Sequence, residues 1–305
     1  MEKNELVEKI KKLTKEKEAT ILAHNYQIPQ VQDIADYVGD SLQLSRIAQK
    51  IPCRIIVFCG VSFMAETAKI LSPEKMVLLP RNEADCPMAA MVNPDSLREF
   101  RQMYPDAKVL SYVNTTAEVK AESDVCCTSA NAIEVARNMD ARKIIFLPDK
   151  NLASFVTKFV NENKQIIPYP GYCYVHERVQ VENIIKAKKG HPDAEVIVHP
   201  ECRPEVIEVA DKVASTGGMI KYVKESPCKK FIIGTEEGII HRLKKENPQK
   251  EFFTAGPALI CRNMKFTTLK DVYLSLKEEK YQVMVRDDIR KRARVALDRM
   301  LEYSG

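Results

Sequence analysis

Nine cysteines stand in this chain of 305 residues, and three of them keep a register that the other six do not. Cys86, Cys173 and Cys261 lie 87 and 88 residues apart, each in a loop after a short apolar run: KMVLLP, KQIIPYP and KEFFTAG. A lone free cysteine is most often a buried, inert thiol. Three at a common period are different, because convergent thiolates have few good uses. Structural zinc takes four protein ligands in a closed tetrahedron, whereas three leave a position for water or substrate. An iron–sulfur cluster usually takes four cysteines, so three leave one iron free to act as a Lewis acid. An open iron suits dehydration and suits electron transfer poorly. The odd total and the lack of any CxxC argue against a disulfide framework. Cys53, Cys59, Cys126, Cys127, Cys202 and Cys228 lack the register and read as packing residues or incidental thiols.

Two further residue types keep the same beat. The apolar runs TILA, KVLS and EVIV each end on a ring-bearing polar residue, His24, Tyr112 and His199, at spacings of 88 and 87. Seventeen residues beyond each ring stands a hydroxyl: Ser41, Ser129 and Thr216. Ser41 and Ser129 open helix-like stretches, where a hydroxyl caps free N–H groups and the helix end attracts anions. Gly217 and Gly218 after Thr216 allow a ligand close to the backbone. Three such starts suit a substrate with several carboxylates or a phosphate. Glu201, two residues past His199, could serve as general acid or base if buried. Tyr26 and Tyr112 offer phenols to a developing oxyanion. The bland alternatives are a plain cap, a hydrogen-bonded strand-end histidine, a surface carboxylate and a packing aromatic.

Each copy must therefore supply elements that aim a ring, a hydroxyl and a thiol at one place. A second strand candidate follows in each (RIIVFCG, RKIIFLP, KFIIGT), then a helix-like stretch (SFMAETAKIL, NLASFVTKFV, EEGIIHRLKK) and the third short strand before the cysteine loop. Strands alternating with helices predict parallel sheets with right-handed crossovers. The expected fold is α/β: three αβα units, each with a small parallel sheet, related by a pseudo-threefold axis around a central site. Boundaries fall at 1–105 with an N-terminal helix, 106–192 and 193–268, and residues 269–305 form C-terminal helices packed on the body. Three units are a better division than the two domains that length alone suggests.

Composition excludes several classes. A net charge of +5 is spread through interspersed Lys, Arg, Asp and Glu, without the basic blocks of a nucleic-acid or membrane binder. No segment nears about 18 uninterrupted apolar residues, and the N-terminal stretch lacks an apolar core before a cleavage site. A cytoplasmic protein is expected. P-loop, dinucleotide and radical-SAM signatures are missing.

The segments LAHNYQ, DIADYVGDSLQL, DCPMA, YVNTTAEVKAESDVCCTSANA, VHPEC, STGGM and CRNMK, in this order from Ile21 to about Lys265, resemble the quinolinate synthase family. The resemblance implies condensation of iminoaspartate with dihydroxyacetone phosphate to quinolinate, with loss of phosphate and two waters, in de novo NAD biosynthesis. It implies a [4Fe-4S] cluster on Cys86, Cys173 and Cys261, with the fourth iron open to substrate. It assigns substrate binding to His24, Ser41, Tyr112, Val113, Asn114, Ser129, His176, His199, Pro200, Glu201 and Thr216, with Met264 lining the pocket. Glu201, Tyr26, Tyr112 and His199 are its catalytic candidates. A functional link to the enzyme that supplies iminoaspartate follows. Tyr172, where family members often carry His, and Arg262 depart from the pattern without touching the ligands. Two rivals stay open: another three-cysteine iron–sulfur hydro-lyase, and a non-enzymatic protein whose trio ties three domains with zinc.

Overall fold

The computed structural model describes residues 3–304, so the outermost boundaries expected at residues 1 and 305 lie outside it. Among the described residues twelve strands form three separate four-stranded sheets, each wholly parallel. The first holds β1 (Ala19–His24), β2 (Tyr37–Gly39), β3 (Ile55–Cys59) and β4 (Met76–Leu78) in the order β2-β1-β3-β4. The second repeats that order with β5 (Lys108–Tyr112), β6 (Val125–Cys127), β7 (Lys143–Leu147) and β8 (Gln165–Pro168). The third repeats it with β9 (Glu195–Val198), β10 (Lys212–Val213), β11 (Lys230–Gly234) and β12 (Glu251–Thr254). The expected α/β class with three repeated units is the fold observed.

Strands buried on both faces read as continuous apolar runs, and β3 is buried at all five positions. The chain order reverses between the two central strands of each sheet. One crossover leaves β1 for the edge strand β2, and the next returns to β3 on the other side. That reversal opens a crevice at the strands' carboxyl ends, where ligands bind in open parallel sheets. His24 and Tyr112 are the last residues of β1 and β5, and His199 directly follows β9. The rings therefore sit at all three crevices.

The short edge strands β2, β6 and β10 are absent from the sequence reading, because runs of two or three residues carry no legible pattern. One aspartate fixes each of them. Asp36, Asp124 and Asp211 accept from the backbone N–H of Ile21, Val109 and Val196 at 2.7, 2.8 and 2.8 Å, tying each edge turn to its central strand.

One large core cluster draws Leu22, Leu110 and Ile197 from the three sheets into common packing. The helix Pro94–Gln102 lies within the stretch assigned by sequence to the first unit, yet its Leu97 and Phe100 pack with Val109, Ile145 and Ile167 of the second sheet. The helix Leu269–Glu278 covers the outer face of the first sheet beside Lys3–Glu16, and Asp287–Glu302 lies between the first and second units. Among the described residues no helix is long and apolar enough to cross a membrane.

Candidate active site

A cavity of about 70 Å³ lies where the three units meet, and each unit contributes its ring, its hydroxyl and its cysteine. His24, Ser41 and Cys86 come from the first, Tyr112, Ser129 and Cys173 from the second, and His199, Thr216 and Cys261 from the third. Tyr26, Asn114, His176, Glu201 and Met264 line it as well. Of the residues expected to bind substrate, Val113 and Pro200 do not line the cavity. Val113 is buried beside it, with its N–H donated to Cys127 O at 2.8 Å.

Each cysteine lies one to three residues ahead of a single helical turn: Ala89–Met91, Tyr174–Glu177 or Asn263–Lys265. The three thiols receive the backbone N–H three residues on, from Ala89, His176 and Met264. Burial raises all three; for Cys86 the value reaches about 12, with Cys261 adding repulsion. Repulsion from Glu201 and from Cys86 adds to the burial of Cys173. Cys59, Cys126, Cys127 and Cys202 are buried elsewhere, and Cys53 and Cys228 are half-buried.

The hydroxyls differ from their expected role. Ser41 and Thr216 are the first residues of their helices, but the caps stand one residue earlier. Asp40 accepts from Gln43 N at 2.8 Å and Ser215 from Gly218 N at 3.2 Å. Ser129 lies in a turn ahead of the helix Ala132–Asn138 and bonds the Tyr112 phenol. Their hydroxyls are thus free of capping duty and available to the cavity. Asp40 also joins two units, because it receives the N–H of Gly217 as well. A Cβ on Gly217 would come within 2.3 Å of its Oδ2, which is why glycine stands there. Asn25 donates to Thr216 Oγ1 at 3.0 Å and is itself held by Arg242 at 2.9 Å.

The histidines are set by their own backbone. Tyr26 N donates to His24 Nδ1 at 3.2 Å and Glu201 N to His199 Nδ1 at 3.3 Å, so both rings carry their proton on Nε2. Burial lowers both to about 3, keeping them neutral near pH 7. Burial also works against the Glu201 carboxylate, but His176 beside it and the hydrogen bonds from His176 and Tyr112 outweigh it and hold it at about 2.

A continuous hydrogen-bonded chain results. Tyr112 OH donates to Glu201 Oε1 at 2.6 Å, and His176 Nδ1 lies 2.9 Å from Oε2. Against an ionised carboxylate Nδ1 is the donor, and Nε2 lies 2.8 Å from Thr235 Oγ1. Thr235 in turn meets the Tyr26 hydroxyl at 2.5 Å. Two phenols are thereby linked to one carboxylate, and His176 and His199 stack with ring centroids 4.5 Å apart. Thr235 was missed by sequence reasoning, as were the lining residues Val61, Phe63, Met88 and Glu236. Glu236 did carry a signal: with Asp149 it makes an acid just past a strand candidate at the repeat spacing.

The family model described as quinolinate synthetase A protein matches residues 8–302. A quinolinate synthase of Thermodesulfovibrio yellowstonii is 56% identical over 298 residues, 98% of each chain. One of Alkaliphilus metalliredigens is 52% identical over 302 residues, 99% of each. The chain belongs to the quinolinate synthetase A family. It is thereby an enzyme, of a family that serves NAD biosynthesis. Its candidate metal ligands include Cys173, His176 and Glu201, whose ligand atoms all lie within 4.8 Å of one another.

Proposed function

We propose that the enzyme condenses iminoaspartate with dihydroxyacetone phosphate to quinolinate, phosphate and two waters, using a [4Fe-4S] cluster on Cys86, Cys173 and Cys261. The observation that carries this reading is the meeting of those three thiols, one from each unit, in a single buried cavity. A single ion would need the three sulfurs closer together than they stand. Zinc–sulfur bonds of about 2.3 Å would draw three sulfurs to within about 4 Å of one another. Among the described residues, the group this compact is Cys173 with His176 and Glu201, not the three thiols. Burial favours the protonated thiols, so the thiolates need a positive centre to balance them. When bound, the cluster supplies an open iron that polarises a leaving oxygen for dehydration.

The side chains divide the remaining work. Ser41, Ser129 and Thr216 hold carboxylate and phosphate oxygens, and Asn114, whose Oδ1 is buried without a protein partner, accepts from a substrate hydroxyl or N–H. Neutral His24 and His199 donate from Nε2 to substrate oxygens. Glu201, ionised, takes the proton from the carbon that tautomerises, and Tyr26 and Tyr112 exchange protons with it along the hydrogen-bonded chain. The buried setting excludes water from reactive imine and enol forms. The working units are residues 1–105, 106–192 and 193–268 with the tail 269–305. The partners are these two small molecules and the enzyme that delivers iminoaspartate, in the cytoplasm.

The test is anaerobic incubation of the iron- and sulfide-loaded enzyme with both substrates. Quinolinate is the expected product. Loaded protein that makes none would leave a different three-cysteine dehydratase. Zinc without iron or sulfide would end the cluster reading.

A further inference from the structure

The same backbone bond recurs at all three cysteine loops. Ser62, Lys150 and Glu237 donate their N–H to the carbonyl two residues before each cysteine: Ala84, Gly171 and Leu259, at 2.8, 2.8 and 2.9 Å. That bond aligns the residues just before the donors, Val61, Asp149 and Glu236. Each stands two residues past its strand, β3, β7 or β11, at the 88 and 87 spacing of the rings.

In two copies this position is a buried acid with both oxygens engaged. Asp149 Oδ2 accepts the N–H of Cys173 at 3.0 Å, while Oδ1 accepts that of Leu152 at 2.7 Å, capping the helix Lys150–Thr157. Glu236 Oε1 accepts the N–H of Cys261 at 3.1 Å, while Oε2 accepts that of Gly238 at 2.8 Å, where the helix Ile239–Glu246 begins. A Cβ at Gly238 would fall within 2.8 Å of Oε2, and one at Gly171 within 2.5 Å of Pro148 O, so both clasps need glycine nearby. In the first copy Val61 has no acceptor, and its helix has no side-chain cap.

We infer that Asp149 and Glu236 are positioning residues for the metal ligands of the second and third units. Each joins a cysteine loop to a helix start through one carboxyl group, and the first unit lacks this clasp. What the cysteines hold follows from the cluster proposed above; the clasp itself does not. Groups that orient metal ligands typically matter by 10- to 100-fold in metal retention.

The test uses Asp149→Ser, which keeps a helix cap but gives up the Cys173 N–H, and Glu236→Gln, whose amide sets a donor against a donor. Thiol alkylation by iodoacetamide is followed site by site by mass spectrometry on the full chain, stripped of iron and kept reduced. Cys173 is expected to react about tenfold faster in the first variant and Cys261 about tenfold faster in the second, with Cys86 unchanged in both. Iron release to a chelator from the loaded variants should quicken by about tenfold. Equal acceleration at all three thiols, or none at the clasped one, would overturn the inference. If one variant does not fold, the other decides by the same pattern. Wild-type protein that takes up no iron and sulfide would end the cluster reading, and the labelling pattern would still judge the clasp.

Discussion

At the scale of single residues, the cavity is organised around the ionised Glu201 carboxylate, which accepts from Tyr112 and His176 while buried. Glu201→Gln keeps the shape and removes the base, so kcat should fall by about 10²-fold or more while bound iron stays at the wild-type level. Unchanged turnover would remove Glu201 from proton transfer. The same residues set an acid limit to stability. His24 and His199 lie near 3 in the fold against an ordinary 6.5, and Glu201 near 2 against 4.5. As pH falls below about 6.5, the unfolded chain takes up protons that the fold refuses at both histidines; below about 4.5 Glu201 adds to this. Asp149 and Glu236, raised by burial, pull the other way, so the histidines' share is read as a difference: urea midpoints of the iron-free wild type should fall from pH 7 to 5 by more than those of His199→Gln. An equal fall in the two would contradict a buried neutral His199. Much of this was legible, since rings and cysteines keep one register. Thr235 was not, because its part depends on spanning from His176 to Tyr26, residues remote in sequence.

At the scale of elements, equivalent devices recur where the three copies differ in wording. Asp36, Asp124 and Asp211 each reach back to a central-strand N–H. Asp36→Ala would leave the Ile21 N–H unpaired inside the sheet, at a cost of about 1–3 kcal/mol. A urea titration would read this as a lower midpoint, and an unshifted one would show the tie to be idle. The sequence foretold the long central strands because runs such as IIVFC are apolar on both faces. It could not foretell β2, β6 and β10, which are held by pairing and by these aspartates rather than by their own pattern. It also placed caps on Ser41, one residue late, and on Ser129, which stands in the turn ahead of its helix. Asp40 and Ser215, not Ser41 and Thr216, satisfy the helix ends, so the latter hydroxyls are left for the cavity.

At the scale of the whole molecule, each four-stranded sheet presents one crevice, and only together do three crevices assemble three thiols, three hydroxyls and three rings. The period in the sequence made this convergence predictable. The packing of Pro94–Gln102 on the second sheet was not, since it rests on contacts of Leu97 and Phe100 with strands that come later in the chain. What the three cysteines hold decides the chemistry, and one measurement reaches it directly: iron and sulfide per chain in anaerobically reconstituted wild type and in Cys86→Ser, Cys173→Ser, Cys261→Ser and Cys53→Ser. About four of each are expected in wild type and in Cys53→Ser, with collapse in the other three variants. Zinc in place of iron and sulfide, or equal loss in all four variants, would contradict it.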